Sequence, residues 1–253
     1  MHPLIAALYA TVLQFAAGSM LATAMSDWRG EVTPGFLRLA ALTTLAGAAL
    51  VYALSAGAEL GERVATLSLL ILAAAFGALQ LGGRGTLRLG VGVLSALVGI
   101  VGLVLAAWSR PSPTLGAGWT ALAGLASAIA LGAATMALLL GHWYLVTPRL
   151  SARPLRRLCD LAIGSLLVLS CFGLWFVGTH PEAPTLGPND ALFRWGGLAA
   201  ITIFPVGVTI AARVCCQDWP RGRAIQAATG LLYITVAIVL AGALAGNLTL
   251  LGG

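Results

Sequence analysis

Leu89-Gly-Val-Gly-Val-Leu-Ser-Ala-Leu-Val-Gly-Ile-Val-Gly-Leu-Val-Leu-Ala-Ala-Trp108 runs for twenty residues without a charge, between Arg88 and Arg110. About 20 apolar residues in a helix cross the hydrocarbon core of a bilayer. Seven further runs of this kind occur, at about 3–25, 36–56, 64–81, 118–145, 157–178, 195–215 and 224–249. The 253-residue chain is 59% hydrophobic and 9% charged, and nearly every charge falls between the runs. This pattern implies a polytopic membrane protein. Inside hydrocarbon a backbone N–H is satisfied only within a helix or a closed barrel. A barrel needs short alternating strands, which the sequence lacks. The expected fold is therefore all-α integral membrane, with eight transmembrane helices and no stretch long enough for a soluble domain. Only Met1-His2 precede the first run, so it lacks a basic leader and reads as a retained helix.

The net charge of +6 is carried by fourteen arginines, with no lysine. The gaps after spans 1, 3, 5 and 7 hold Arg29, Arg38, Arg84, Arg88, Arg149, Arg153, Arg156, Arg157, Arg213, Arg221 and Arg223. The other side holds Arg63, Arg110 and Arg194. The positive-inside rule then puts both termini outside the cytoplasm. It also removes nucleic acid from the expected partners, because orientation accounts for the arginines. The Lys-free, Ala/Gly/Leu-rich composition points to a bacterial inner membrane. All seven tryptophans lie near span ends, as an aromatic belt requires.

The chain resembles itself across its midpoint. Gly18-Ser-Met-Leu-Ala-Thr-Ala-Met-Ser-Asp-Trp28, then Val32-Thr-Pro34, parallels Ala134-Thr-Met-Ala-Leu-Leu-Leu-Gly-His-Trp143, then Val146-Thr-Pro148. Arg84-Gly85 before span 4 parallels Arg221-Gly222 before span 8. A four-helix unit repeated once gives two membrane halves, 1–115 and 116–253. An even number of crossings keeps both in one orientation, as parallel repeats. Asp27 and His142 then occupy corresponding positions. Gly57-x-x-x-Gly61 and Gly242-x-x-x-Gly246 have the spacing that lets helices approach closely, more readily within the chain than between subunits.

Ionisable groups near membrane depth are costly and mark candidate sites. On the cytoplasmic side these are His142, Tyr144 and Asp160. A His–Asp pair can fix an imidazole tautomer and move a proton, and Tyr144 adds a donor for a quinone carbonyl. Against this stands a plain reading: His142 and Tyr144 anchor the interface, and Asp160 pairs with Arg156 or Arg157. On the outside the candidates are Glu59, Arg63 and Arg194; Glu62, His180 and Glu182 read singly as solvated loop residues. Gln14, Gln80 and Pro205 are intramembrane features that would line a transport path or simply join helices.

Haem is not expected, since His142 lies at one end and His2 and His180 at the other. Nor is a metal: Cys159, Cys171, Cys215 and Cys216 contain no C-x-x-C, and free cysteines serve as small apolar fillers. A disulfide is not expected on the reducing side, where Cys215-Cys216 lies. No Walker loop, dinucleotide fingerprint, nucleophile elbow or zinc-protease motif occurs. An autonomous hydrolase or nucleotide-driven pump is thereby disfavoured.

Several stretches are similar to the membrane anchors of molybdopterin oxidoreductases, the dimethyl sulfoxide reductase and polysulfide reductase anchor subunits. They are Pro3-Leu4 with Gln14-x-x-Ala17-Gly18, Glu59-Leu-Gly-x-Arg63, Ala191-Leu-Phe-Arg-Trp195 and Ala241-Gly-Ala-Leu-Ala-Gly246. The resemblance covers about half the chain in fragments. It implies an eight-helix subunit with both ends outside, interacting with quinone or quinol and docked to an iron–sulfur or cytochrome protein. The chain departs from the family where Glu59 replaces the loop histidine, Ala243 a glutamate and Asn247 an arginine. The expectation carried forward is a quinone/quinol-interacting anchor of a respiratory or other electron-transfer complex. Its alternatives are a small secondary transporter of two four-helix repeats and a structural, non-catalytic subunit.

Overall fold

The computed structural model describes residues 1–82, 85–147, 151–180, 191–216 and 222–251, with the side chains of 191–194, 222–223 and 251 left aside. Its ordered elements are helices: α1 (Pro3–Arg29), α2 (Pro34–Leu54), α3 (Leu60–Leu79), α4 (Gly85–Ser109), α5 (Gly116–Val146), α6 (Arg153–Thr179), α7 (Ala191–Leu198), α8 (Phe204–Cys215) and α9 (Gly222–Leu251). A 3₁₀ turn, Ser55–Gly57, follows α2, and a π turn, Ala199–Ile203, joins α7 to α8. Eight helical segments are long and apolar enough to cross a membrane, the seventh being Trp195–Cys215. The protein is an all-α, multi-pass membrane protein. The helices overrun the apolar stretches that announce them: α1 reaches Arg29, and α6 begins at Arg153.

Local chemistry sets the ends. Before α1, His2 Nδ1 accepts the Leu4 N–H at 3.3 Å and Pro3 occupies the first turn, where no donor is wanted. Gly30 ends α1 in the left-handed region, φ 65°, and its N–H bonds the Asp27 carbonyl. Thr33 Oγ1 then accepts the Phe36 N–H and Pro34 starts α2. Within the seventh span, Pro205 has no N–H for the Ile201 carbonyl four residues back, and its ring crowds that oxygen. The widened π turn lies immediately before it.

α1 packs along α2 and α4, α3 packs between α2 and α4, and these four close a ring. α5, α6, α8 and α9 close a second ring with the same order of neighbours. α1 and α5 cross between the rings and are the most deeply buried helices. Two glycines make that crossing possible. A Cβ on Gly18 would sit 1.7 Å from the Ala128 carbonyl oxygen, and one on Gly132 would sit 1.9 Å from the Gly18 carbonyl carbon. The backbones therefore touch, where only hydrogen fits. Of the glycines with four-residue spacing, Gly242 packs against Ile201 of the π turn, while Gly246 meets nothing within 4 Å. The closest helix approach thus falls outside both spaced motifs.

Beside the crossing, a polar cluster joins α1, α5 and α9. Asn247 Nδ2 donates to Thr11 Oγ1 at 2.9 Å and to Gln14 Oε1 at 3.1 Å. Gln14 Nε2 donates to Asn247 Oδ1 at 3.2 Å, and Ser127 Oγ donates to Gln14 Oε1 at 3.1 Å. Gln14 is therefore a helix-joining amide. Most tryptophans are exposed near helix ends, but Trp143 packs its ring on Gly35 of α2, where a Cβ would lie 2.4 Å from Cζ2. Trp219 lies outside the described residues.

Candidate functional site

The inward face of α4 reads Arg88, Gly92, Ser95, Gly99, Gly102, a spacing of three and four that keeps small groups on one stripe. Their size lets α4 lie deep against its neighbours: Gly99 faces Ala17 of α1, and Gly92 faces Phe76 of α3. An arginine stands at each end of this stripe. Arg88 grips Asp27 of α1 through two bonds, Nε to Oδ2 at 2.8 Å and the terminal nitrogen to Oδ1 at 2.5 Å. Arg110, just beyond α4, pairs with Glu62 of α3.

The Glu62 end is chemically the richer. Its carboxylate is 1% exposed. One oxygen takes the Arg110 guanidinium; the other accepts the Ser109 hydroxyl at 2.5 Å. The guanidinium also lies over the Tyr9 ring, 5.1 Å from its centroid. Tyr9 is fully buried and within electrostatic reach of both charges. A lone carboxylate at this depth would be strongly disfavoured, so pairing and hydrogen bonding are what hold it there. The site thus contains an acid, a phenol, a hydroxyl and a cation from α1, α3 and the end of α4.

A groove of about 410 Å³ runs between α4 and α5 at the same end of the molecule. Ile100, Leu103, Val104, Trp108, Trp119 and Leu122 are among its apolar lining. Trp108 immediately precedes Ser109 and Arg110, so groove and ion pair share the last turn of α4. Beyond Trp119 an aromatic cluster continues: Trp119 to Trp175 at 5.1 Å, and Phe176 stacked on His180 at 5.0 Å. His180 is half-buried, with Nδ1 2.8 Å from Thr179 Oγ1.

The sequence candidates distribute differently. Glu59 caps the start of α3 and is exposed, as is Arg63. Glu62 between them is the buried group, which corrects its reading as a solvated loop residue. Arg194 and Glu182 lie outside the described side chains. At the opposite end, His142, Tyr144 and Asp160 do not gather. His142 is exposed on the outer surface of α5. Tyr144 is buried, and its hydroxyl donates to the Ser151 carbonyl at 2.7 Å, tying the end of α5 to the residues just before α6. Asp160 is exposed and pairs with Arg213 of α8 rather than with His142, Arg156 or Arg157. Arg157 instead donates to Glu31 at 2.7 Å. Gln80, 5% exposed at the end of α3, has no hydrogen-bond partner for either amide atom among the described residues.

No family model, curated protein or solved structure matches the chain.

The residues that sequence reasoning missed had a readable signal. On α3, Glu62, Thr66, Leu69, Ala73, Phe76 and Gln80 form one alternating three–four stripe. The first and last members are polar continuations of a buried face. In sequence Arg110 reads as an orientation signal, and that reading carries no sign of its carboxylate partner.

Proposed function

We propose that the chain is the quinone- or quinol-interacting membrane anchor of a bacterial electron-transfer complex, working from the end that carries Glu62. One observation carries this reading. A buried carboxylate is bonded to Arg110 and Ser109 beside Tyr9, and Trp108, the residue before Ser109, lines an apolar groove of about 410 Å³. Oxidation of a quinol releases two electrons and two protons. Glu62 would accept one proton from a ring hydroxyl, release it outward and then take the second, Ser109 and Tyr9 would hydrogen-bond the ring oxygens, and Arg110 would hold the negative charge left between the two transfers. The electrons would pass to a partner, an iron–sulfur or cytochrome protein. Glu59 and Arg63, exposed on either side of Glu62 in sequence, would receive protons leaving that end, with Arg194 a further candidate.

The same proposal places the chain in the bacterial inner membrane with both termini periplasmic, on the strength of the arginine distribution. It treats 1–115 and 116–253 as parallel copies of one unit, a view favoured by the matching order of helix neighbours in the two rings. The resemblance to the dimethyl sulfoxide reductase and polysulfide reductase anchors agrees with this assignment.

The experiment is quinol-linked turnover of the native complex carrying Glu62→Gln, with assembly checked by co-purification. Glutamine keeps the shape and a hydrogen bond but accepts no proton. General-base catalysis contributes about 10²–10⁴, so turnover should fall about a hundredfold in an assembled complex. Full turnover in the assembled variant would overturn the site, and solute uptake by the chain alone in liposomes would favour a transporter.

A further inference from the structure

At the end of the molecule opposite Glu62, the carboxylates Asp27, Glu31 and Asp160 are each taken by an arginine: Arg88, Arg157 and Arg213. Arg38, in the second turn of α2, has no carboxylate partner among the described residues. Its side chain is exposed and yet held, because Nε donates to the Gln80 carbonyl at 3.3 Å. That carbonyl closes α3, beyond the reach of the helix's own N–H groups, and the negative end of a helix favours a cation. The tie uses Nε and leaves the two terminal nitrogens without a hydrogen-bond partner among the described residues. Apolar side chains continue from this arginine along the span. Arg38, Leu42, Leu45 and Ala49 recur at spacings of four, three and four, so they share one side of α2. Leu42 is 64% exposed, Ala49 is exposed and Leu45 is half-buried. On α3, Leu81 beside Gln80 is 78% exposed. Small residues draw the two helices together there: a Cβ on Gly77 would lie 3.9 Å from that of Ala41. From Arg38 to Ala49 the track is about 16 Å long, against about 15 Å for one leaflet's share of the hydrocarbon core.

We propose that Arg38 and this track of α2 bind an anionic phospholipid, with the phosphate on the guanidinium and an acyl chain along Leu42, Leu45 and Ala49. The planar fork of an arginine offers paired N–H donors that match phosphate oxygens. Basic sites between membrane helices hold acidic headgroups in this way. The tie to Gln80 fixes the fork before the lipid arrives, so little side-chain freedom is lost on binding. A zwitterionic lipid presents the same phosphate, but its ammonium adds a positive charge where arginines already outnumber carboxylates. A free phosphate shares the ionic contact and lacks the chain that fills the track. Arg29 offers no equivalent, since its guanidinium lies over the Trp28 ring, 5.4 Å from the centroid. The lipid site is independent of the quinol reading, because Arg38 and Glu62 stand at opposite ends of the first ring.

The test is native mass spectrometry of the full chain in an uncharged detergent. It is titrated with phosphatidylglycerol, with phosphatidylcholine of the same chains, and with inorganic phosphate. The first phosphatidylglycerol should bind about tenfold tighter than phosphatidylcholine, as one charge-assisted contact supplies, and phosphate alone should leave no adduct. Arg38→Gln should erase that preference, while Arg153→Gln, at an exposed arginine of the same end, should keep it. Localisation in the wild-type chain needs no variant. Phosphatidylglycerol carrying a diazirine near the ester end of its acyl chain should label the α2 peptide around Leu42. An unchanged preference in Arg38→Gln, or an equal loss in Arg153→Gln, would overturn the site. So would label confined to other helices, phosphatidylcholine bound as tightly, or a phosphate adduct as persistent as the lipid's.

Discussion

Replacing Arg110 by methionine removes the cation that neutralises Glu62 while keeping much of the aliphatic stem. The carboxylate, 1% exposed, is left with the Ser109 hydroxyl as its remaining donor. Breaking a buried ion pair from one side costs about 3–5 kcal/mol. The Arg110 side chain is 21% exposed, so water reaches the vacated position and the lower end applies, about 3 kcal/mol. Losing the cation over Tyr9 adds about 0.5–1 kcal/mol. Glu62→Leu is milder, about 1–2 kcal/mol, because a partly exposed arginine can turn its head toward water. The double variant replaces the pair with apolar groups and should lie near the wild type. A coupling of about 4–6 kcal/mol follows. Equilibrium unfolding in mixed micelles, followed by tryptophan fluorescence, measures all four proteins. Single effects that add to within about 0.5 kcal/mol would mean the two side chains do not interact, and the reasoning about the site would fail with them.

Gly132→Val drives a side chain into the Gly18 backbone and should destabilise by at least about 1–3 kcal/mol, whereas Gly164→Val meets open space and should stay within about 0.5 kcal/mol; thermal unfolding in detergent compares them. Asn247→Leu removes three hydrogen bonds from the α1–α5–α9 cluster and should lower stability by about 0.6–2 kcal/mol, checked in the same assay. Asp160→Asn weakens a pair that is exposed on both sides, so the unfolding transition should stay where it is in the wild type. Single cysteines placed beyond each terminus should react with a membrane-impermeant maleimide added from the periplasm; protection of either end would refute the proposed sidedness.

The eight crossings were legible because apolar runs about twenty residues long have one physical explanation. The sites were less so, because a charge near a span end has two. Arg110 and Arg88 read as orientation signals, yet each grips a carboxylate on another helix. The distinction lay in helical phase: Glu62 falls on the buried stripe of α3, while Glu59 and Arg63 do not. His142 and Asp160 were linked by estimated depth along two helices, but depth says nothing of direction around the axis. Both side chains are exposed, and Arg213, distant in sequence, takes Asp160. The Gly18–Gly132 crossing was hard to pick out for a related reason. Gly18-x-x-x-Ala22 and Ala128-x-x-x-Gly132 both have small-xxx-small spacing, but in a chain this rich in Ala and Gly the spacing recurs too often to single out one pair.

That crossing also bears on how the protein is made. α1 leaves the ribosome before α5, yet the surface around Gly18 is filled by α5. At about 5–20 residues per second, translation leaves it bare to lipid for roughly ten seconds. Chains that stop before α5 keep that narrow strip uncovered, in a form that membrane proteases and insertion factors can distinguish from the finished protein.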